Sequence, residues 1–459
     1  MKLRIIKKIS IIVSIAFIAA TFSVPNYVEA DQNIPAWPNK TVNTVAKSSC
    51  LIDYDTGTVL YESNAHKKRY PASITKVLTT LLTIENCKMD EQVTFSKNSL
   101  ACIRDGAANI GAVAGETMSV KDCLYGLMLQ SGNECATALG EHMFGDEKTF
   151  AAKLNERAKK AGALDSHFVN GNGLHNDNHY VTAYDMAMIM RDALRYPVFR
   201  EIIGTTQYTI PKNNKRKKRF MSTMRHKMIW EGGPYYYKGI IGGKTGFTDQ
   251  ARNTLVTAAK RGNLTLIAVV LKSDTNNVYT DTAALFNYGF KNFKSLNVSQ
   301  NDSRFKEDDN AYLESPFIKN VGTIKIDPTA TVVIPKAANY SMLNINSTFN
   351  VTRNVVSTLT YNYGNKEVGK ANIIYQKSQK TTPVKLSTEK TTIAKETTVA
   401  ATTTAKESSK SVSSMFKISP GTIIIIVCVA VLVLIIILLI RKKKKLDKIR
   451  YEKRNRYRH

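Results

Sequence analysis

The chain is poor in the residues that mark a redox or zinc protein. Six cysteines occur in 459 residues, and none forms a Cys-x-x-Cys pair or a zinc-like spacing, so no redox function follows from them and their spacing marks no zinc motif. Cys428 lies in an apolar segment near the C-terminus. The other five, Cys50, Cys87, Cys102, Cys123 and Cys135, are odd in number and cannot all pair with one another. Small buried packing is their expected role, with one or two disulfides allowed. Acidic residues are also scarce, 37 against 65 lysines and arginines, for a net charge of +28. Such an excess invites a nucleic-acid reading. Part of it, however, sits in a C-terminal basic tail, and another part, Lys212 with Lys215 to Arg219, forms one block. Repeats of domain size are absent.

Long apolar runs are confined to the two ends. Lys2, Arg4, Lys7 and Lys8 precede an apolar stretch from Ile9 to Phe22 and the small-x-small pattern Val28-Glu29-Ala30, which predicts an export signal over residues 1–30. Gly421 to Ile440 is uncharged and rich in Ile, Val and Leu, long enough to cross a bilayer core as a helix. Arg441 to Lys445 follow at once, placing the C-terminus in the cytoplasm by the positive-inside rule and everything between Ala30 and Gly421 outside. Export argues against nucleic acid; the basic block of residues 212–219 then reads either as a surface for anionic wall or membrane polymers or as a solvated loop.

Between these ends the pattern changes twice. Ser48 to Tyr61 reads as a hairpin turned by Asp55-Thr56-Gly57. Pro71 opens a helix in which Val77, Leu78, Leu81, Leu82 and Ile84 share a buried face, and Lys121 to Met143 and Thr182 to Leu194 continue the helical region. Asn253 to Ala259 and Leu264 to Lys272 return to strands. After a polar stretch from Phe290 to Asp309, five short strand patterns between Val321 and Tyr375 predict a small all-β domain. Ser378 to Ser414 is Thr-, Ser-, Lys- and Ala-rich without apolar period, a composition that does not repay the entropy of ordering. The expected organisation is therefore signal 1–30, catalytic domain 31–297, β domain 298–377, flexible stalk 378–418, transmembrane helix 419–441 and basic tail 442–459.

Three short motifs carry the chemistry: Ser73-Ile74-Thr75-Lys76, Ser131-Gly132-Asn133 and Lys244-Thr245-Gly246. Each is weak alone; in this order they are the set used by enzymes that acylate a serine. Serine is a poor nucleophile near neutral pH and needs a base and an oxyanion site. Lys76, three residues on in the first turn of a helix, shares a face with Ser73, where partial burial and the positive helix end lower its pKa toward a proton-accepting amine. Ser131 and Asn133 follow a helical stretch, where a turn offers a hydroxyl to relay protons and an amide for substrate or for Lys76. Lys244 and Thr245 on a strand supply a cation and a hydroxyl for a carboxylate, and the strand edge pairs with an extended peptide. Gly239 to Thr245 superficially matches a phosphate-binding loop but carries Lys238 where that motif needs glycine. His175, Asp177 and His179 alternate like metal ligands, yet without further ligands nearby they read as a polar loop bordering the cleft; no metal and no cofactor are expected.

With these residues in view, the chain resembles the low-molecular-weight penicillin-binding proteins, specifically the serine-type D-alanyl-D-alanine carboxypeptidases. Tyr70 to Lys76, Phe168 to Leu174 with His179 to Met186, and Gly243 to Thr248 match the family's extended signatures. The resemblance implies an α/β fold, a β-lactamase/transpeptidase-like sandwich followed by the small β domain. It implies that Ser73 attacks the carbonyl between the terminal D-alanines of a peptidoglycan stem peptide, trimming cross-linkable pentapeptides during cell wall biogenesis. Lys76 is then the base, Ser131 the relay, Asn133 a substrate contact, and Lys244 and Thr245 the carboxylate site, with the backbone amides of Ser73 and Phe247 as the oxyanion hole. β-Lactams, as mimics of D-Ala-D-Ala, acylate Ser73. Two departures stand out: relatives end in a short amphipathic anchor rather than a stalk and full span, and many carry histidine where Asn172 stands. A β-lactamase shares the acylation residues but needs a deacylating glutamate, and no Glu-x-x-Leu-Asn occurs here. A non-catalytic wall-binding module is the other alternative, opposed by the intact Ser73, Lys76, Ser131, Asn133 and Lys244.

Overall fold

The computed structural model describes residues 34–377 and 382–383, apart from residues 40, 104–105, 223–225, 303–311, 316–317, 350–351 and 353. The expected signal, nearly all of the stalk, the membrane span and the basic tail lie outside the described residues. Among those described, no helix is long and apolar enough to cross a membrane.

The expected hairpin is present as β1 (Ser48–Asp53) and β2 (Val59–Ser63). Asp53 closes its turn, its Oδ2 accepting from the Thr56 amide at 2.8 Å and the Thr56 hydroxyl at 2.7 Å. With β3 (Ile240–Thr248), β4 (Arg252–Arg261) and β5 (Leu264–Ser273) they form an antiparallel sheet in the order β2-β1-β5-β4-β3. Successive side chains leave a strand on opposite faces, and both faces here are apolar. Cys50, Ile52, Val256, Ala258, Ile267, Val269 and Leu271 enter one core with the helical region. Leu51, Leu255, Ala259, Leu266, Ala268 and Val270 enter a second core with the C-terminal helix of the domain. A sheet covered on both faces explains why β4 and β5 read as near-continuous apolar runs.

The helical layer centres on α1 (Lys76–Asn86), whose first eight residues are all buried. Around it stand α2 (Val120–Leu129), α3 (Asn133–Phe144), α4 (Glu147–Lys160) and α5 (Ala183–Ala193). The helical pattern from Lys121 to Met143 is two helices, parted where a turn is expected at the second motif. Gln130, Ser131 and Gly132 break it, with Ser131 at φ 62°. Starts are capped in the ordinary way: Ser119 accepts from the Asp122 amide, Asp146 from Thr149 and Thr182 from Asp185. On α4, Phe150 packs against two glycines: a Cβ at Gly140 of α3 would lie 2.2 Å from its ring, and one at Gly171 of the following loop 2.3 Å. The opposite face of the sheet is covered by α6 (Asn277–Asn292), through Val278, Leu285, Phe286 and Phe290.

Past α6 the chain becomes all β. β6 (Phe293–Asn297) pairs with β9 (Thr331–Pro335). β7 (Tyr312–Ser315), β8 (Ile318–Ile326), β10 (Asn344–Phe349), β11 (Val355–Tyr363), β12 (Lys366–Lys377) and β13 (Thr382–Pro383) make a six-stranded sheet, ordered β7-β8-β12-β11-β10 with β13 on β8. Alternation along β11 buries Leu359, Tyr361 and Tyr363 in a separate apolar core. The five described cysteines are all free, so the allowance for disulfides is not met among them. Cys50, Cys123 and Cys135 act instead as small buried apolar groups.

Candidate active site

Ser73, the expected nucleophile, lies in a 3-10 turn, Ala72–Thr75, rather than in the first turn of an α-helix as expected; α1 begins at Lys76. The turn is strained and gripped. Ala72 sits at φ 51°, a left-handed conformation costing about 1–2 kcal/mol for a residue with a Cβ. Three contacts hold it there. Thr254 Oγ1 donates to the Pro71 carbonyl at 2.8 Å. Thr75 Oγ1 donates to the Ala72 carbonyl at 2.9 Å, and His179 Nε2 lies 3.1 Å from that same hydroxyl. Gly173, at φ 82°, presses on the turn so closely that a Cβ would stand 1.9 Å from the Ala72 oxygen.

Lys76 is fully buried, beyond the partial burial expected. Its Nζ lies 2.8 Å from Ser73 Oγ, 2.7 Å from Asn133 Oδ1 and 2.6 Å from the Asn172 carbonyl. These oxygens replace lost water, which an ammonium or amine in an apolar interior requires. The last two only accept; the hydroxyl can also donate. Lys76 Nζ donates to Asn133 Oδ1 and to the Asn172 carbonyl, and of the three oxygens only the Ser73 hydroxyl has a proton to give back.

Ser131 and Asn133 flank the break between α2 and α3. Ser131 is buried, and its Oγ is without a hydrogen-bond partner among the described residues. A strained residue with an unpaired buried hydroxyl is stored cost, the kind found at functional sites. Gln130 Nε2 donates to the Ser222 carbonyl at 2.7 Å, and Glu134 Oε1 accepts from the Ile110 amide at 2.7 Å, so the break is tied on both sides.

β3 closes the cleft at the sheet edge. A Cβ at Gly246 would lie 2.8 Å from the Ser73 nitrogen, so the strand can run against the turn only with glycine there. Lys244 is buried, its Nζ donating to the Thr245 carbonyl at 2.8 Å. Thr245 is half-buried, and Phe247 is exposed beside the edge. Behind the strand, His226 Nε2 lies 2.9 Å from Thr257 Oγ1, which donates to the Gly242 carbonyl at 2.8 Å. Burial, aided by the Lys244 charge, pushes His226 down to about 4. Burial likewise pushes His179 down to about 3, with His167 and His175 adding to it. Each imidazole is thus neutral and donates through Nε2 to a threonine whose proton goes to a backbone carbonyl.

The structure joins Ser73, Lys76 and Asn133 through hydrogen bonds, with Ser131 buried two residues before Asn133, and sets Gly246 beside Ser73, flanked along β3 by Lys244, Thr245 and Phe247. His175 and Asp177 do border the surface, 3.4 Å apart, but His179, expected in the same polar loop, is buried beneath Thr75. The Asn172 carbonyl, Thr75, His226 and Thr257 went unnoticed as site-forming residues. Nothing in their spacing marks them.

A family model described as D-alanyl-D-alanine carboxypeptidase, peptidase S11, matches residues 35–275, more than half of the chain. The chain belongs to peptidase family S11. Among S11 relatives, the D-alanyl-D-alanine carboxypeptidase DacF of Bacillus subtilis is 36% identical over 50% of this chain and 58% of its own length. DacC of Escherichia coli is 30% identical over 57% of this chain and 65% of its own. The chain thus spans less than two thirds of these two relatives. The Streptomyces K15 DD-transpeptidase superposes over 55% of this chain and 100% of its own, with TM-score 0.51 and 28% identity. Penicillin-binding protein 5 of Haemophilus influenzae shares the fold over 74% of this chain and 99% of its own, TM-score 0.60, at 23% identity. The α/β transpeptidase-like fold of S11 proteins is therefore the fold of this chain.

Proposed function

We propose that this chain is a serine-type D-alanyl-D-alanine carboxypeptidase acting on peptidoglycan stem peptides, inhibited covalently by β-lactams. The observation that carries the reading is the Lys76 amine, 2.8 Å from Ser73 Oγ and held by two acceptor-only oxygens, the arrangement of a nucleophile with its base. Lys76 takes the hydroxyl proton as Ser73 Oγ attacks the carbonyl carbon of the scissile D-Ala-D-Ala bond. The oxyanion is met by the backbone amides of Ser73 and Phe247. Ser131, unpaired until substrate arrives, passes the proton to the departing amine, and D-alanine leaves. Water then reverses the steps and releases the shortened peptide. Asn133 fixes both Lys76 and the substrate amide; Lys244 and Thr245 hold the terminal carboxylate. The β3 edge offers backbone pairing to the extended peptide.

In this proposal residues 1–30 direct export, residues 31–297 are the catalytic domain, residues 298–377 the β domain, and residues 378–418 a stalk leading to a membrane helix at 419–441 and a cytoplasmic tail at 442–459. The catalytic domain then faces the wall. The uncharged run Gly421 to Ile440 followed by Arg441 to Lys445 supports that placement.

Mass spectrometry of the full chain in detergent micelles, treated with penicillin and separately with diacetyl-Lys-D-Ala-D-Ala, tests the proposal. A long-lived penicilloyl adduct on Ser73, loss of one D-alanine from the peptide, and neither event in Ser73→Ala are the expected results. Rapid penicillin turnover with untouched peptide would make the protein a β-lactamase. No adduct and no cleavage would leave a binding module.

A further inference from the structure

Away from the cleft, three side chains with different donor atoms converge at the far ends of two active-site helices. Cys87 ends α1, Glu91 lies in the turn that follows, and His142 stands in the last turn of α3. The Cys87 sulfur, a Glu91 carboxylate oxygen and a His142 ring nitrogen all lie within 4.8 Å of one another. His142 Nε2 is 3.1 Å from Glu91 Oε2. Glu91 Oε1 accepts from the Lys88 amide at 2.8 Å, which fixes the carboxylate before any ion arrives, as outer contacts do at metal sites. The Cys87 amide donates to the Thr83 carbonyl at 3.0 Å, so the cysteine is set by the helix end.

We propose that Cys87, Glu91 and His142 form a binding site for a divalent zinc-class cation, with water as the fourth ligand. A thiolate, an imidazole and a carboxylate are the donors zinc takes in tetrahedral sites; calcium and magnesium prefer an all-oxygen shell. The charges close as well: one thiolate and one carboxylate neutralise the dication, so the complex places no net charge at the surface. Binding forms the metal–sulfur bond and releases the Cys87 thiol proton to solvent. No oxidant or reductant is involved.

The position gives the site a purpose. α1 begins with Lys76 and α3 begins with Asn133, and those two side chains are hydrogen-bonded at 2.7 Å. A cation on Cys87, Glu91 and His142 ties the same two helices at their other ends, making a clamp around the base. The site also uses one cysteine of the odd set that no disulfide absorbs among the described residues. Spacing concealed it, because the third ligand is supplied by a distant helix.

The test uses the full chain in detergent micelles, stripped of metal with a chelator and titrated with Co2+, then Zn2+. One equivalent of Co2+ is expected to produce a near-ultraviolet thiolate-to-cobalt band and the visible bands of tetrahedral cobalt, both bleached by Zn2+. Cys87→Ser removes the thiolate band, and His142→Ala weakens binding at least about tenfold. Zn2+ raises the melting temperature of the parent chain and leaves that of Cys87→Ser unmoved. Penicillin acylation in both variants stays at the parent rate in metal-free buffer, which checks that they fold. Absence of the thiolate band, its survival in Cys87→Ser, or equal Zn2+ stabilisation of parent and Cys87→Ser would overturn the proposal, whatever the chain does to D-Ala-D-Ala.

Discussion

The S11 region and the C-terminal β sheet are built to different tolerances. Every non-glycine residue at positive φ among those described, Asn64, Ala72, Ser131, Arg252 and Lys272, precedes β6, whereas past β6 only Gly364 takes such a conformation. Buried side-chain atoms without a hydrogen-bond partner follow the same division: among the described residues they run from Ser49 to His226, and none lies past β6. The β sheet resolves its buried polar groups; Tyr340 and Tyr361 both reach Asp302, at 3.2 and 3.3 Å. Among the described residues, strain and unmet hydrogen bonds are thus confined to the part of the chain before β6, and two of the five strained residues, Ala72 and Ser131, lie within or beside the motifs. A site poised for reaction is less relaxed than the fold around it.

Substitutions can pull this contrast apart. Beyond Ser73→Ala, which removes the acylated oxygen itself, the largest effect on acylation is expected from Ser131→Gly. Removing the relay hydroxyl should slow penicillin acylation by roughly 100- to 10,000-fold, yet glycine accepts φ 62° without strain, so the melting temperature should hold or rise by the equivalent of about 1 kcal/mol. Stopped-flow acylation and calorimetry on one preparation check both; an unchanged rate would remove Ser131 from the mechanism. Gly173→Ala comes next. A methyl driven into the Ala72 carbonyl displaces the nucleophile turn, and a shift of about 1 Å costs on the order of 100-fold in rate; here stability should fall along with activity.

A smaller and indirect effect comes from pH. His179 and His226 are neutral when folded, with pKa values near 3 and 4, but titrate near 6.5 when unfolded. Between those limits the unfolded chain binds more protons, so stability rises with pH and is lost as pH falls from about 6.5 toward 4. His226→Gln should flatten that slope in a melting series from pH 7 to 4. No histidine lies between residues 293 and 377, so the β sheet supplies no such slope. The smallest effect on acylation is expected from Tyr361→Ala: removing this fully buried ring should cost about 3–5 kcal/mol, while acylation stays within twofold. A large loss of rate there would show that the two units are coupled.

Much of this was legible in residue order. Apolar spacing at Val77, Leu78, Leu81 and Leu82 located α1, and Asp55-Thr56-Gly57 located the first turn, because periodicity and turn chemistry are local properties. The alternating run from Val355 to Tyr361 announced β11 for the same reason. The turn at Ser131 to Asn133 was legible from its small polar residues, although apolar residues at helical spacing on both sides left the pattern from Lys121 to Met143 looking continuous. Burial of His179 and His226 was not legible. Both sit among polar neighbours, and their surroundings come from Thr75 and Thr257, far away in sequence. The same holds for Asn172, whose contribution is a backbone carbonyl that any residue type provides.

The ring of Phe150, seated where Gly140 and Gly171 leave no Cβ, bears on how this protein can vary. Gly140 belongs to the helix that starts with Asn133, and Gly171 to the loop that lends its neighbour's carbonyl to Lys76. One aromatic ring therefore sets the register between two segments that meet at Lys76. Enlarging either glycine collides with the ring, and shrinking the ring opens a void between them. The three positions therefore share one volume: a side chain larger than glycine at 140 or 171 fits only with a smaller one at 150, so the effects of substitutions at these positions are not additive.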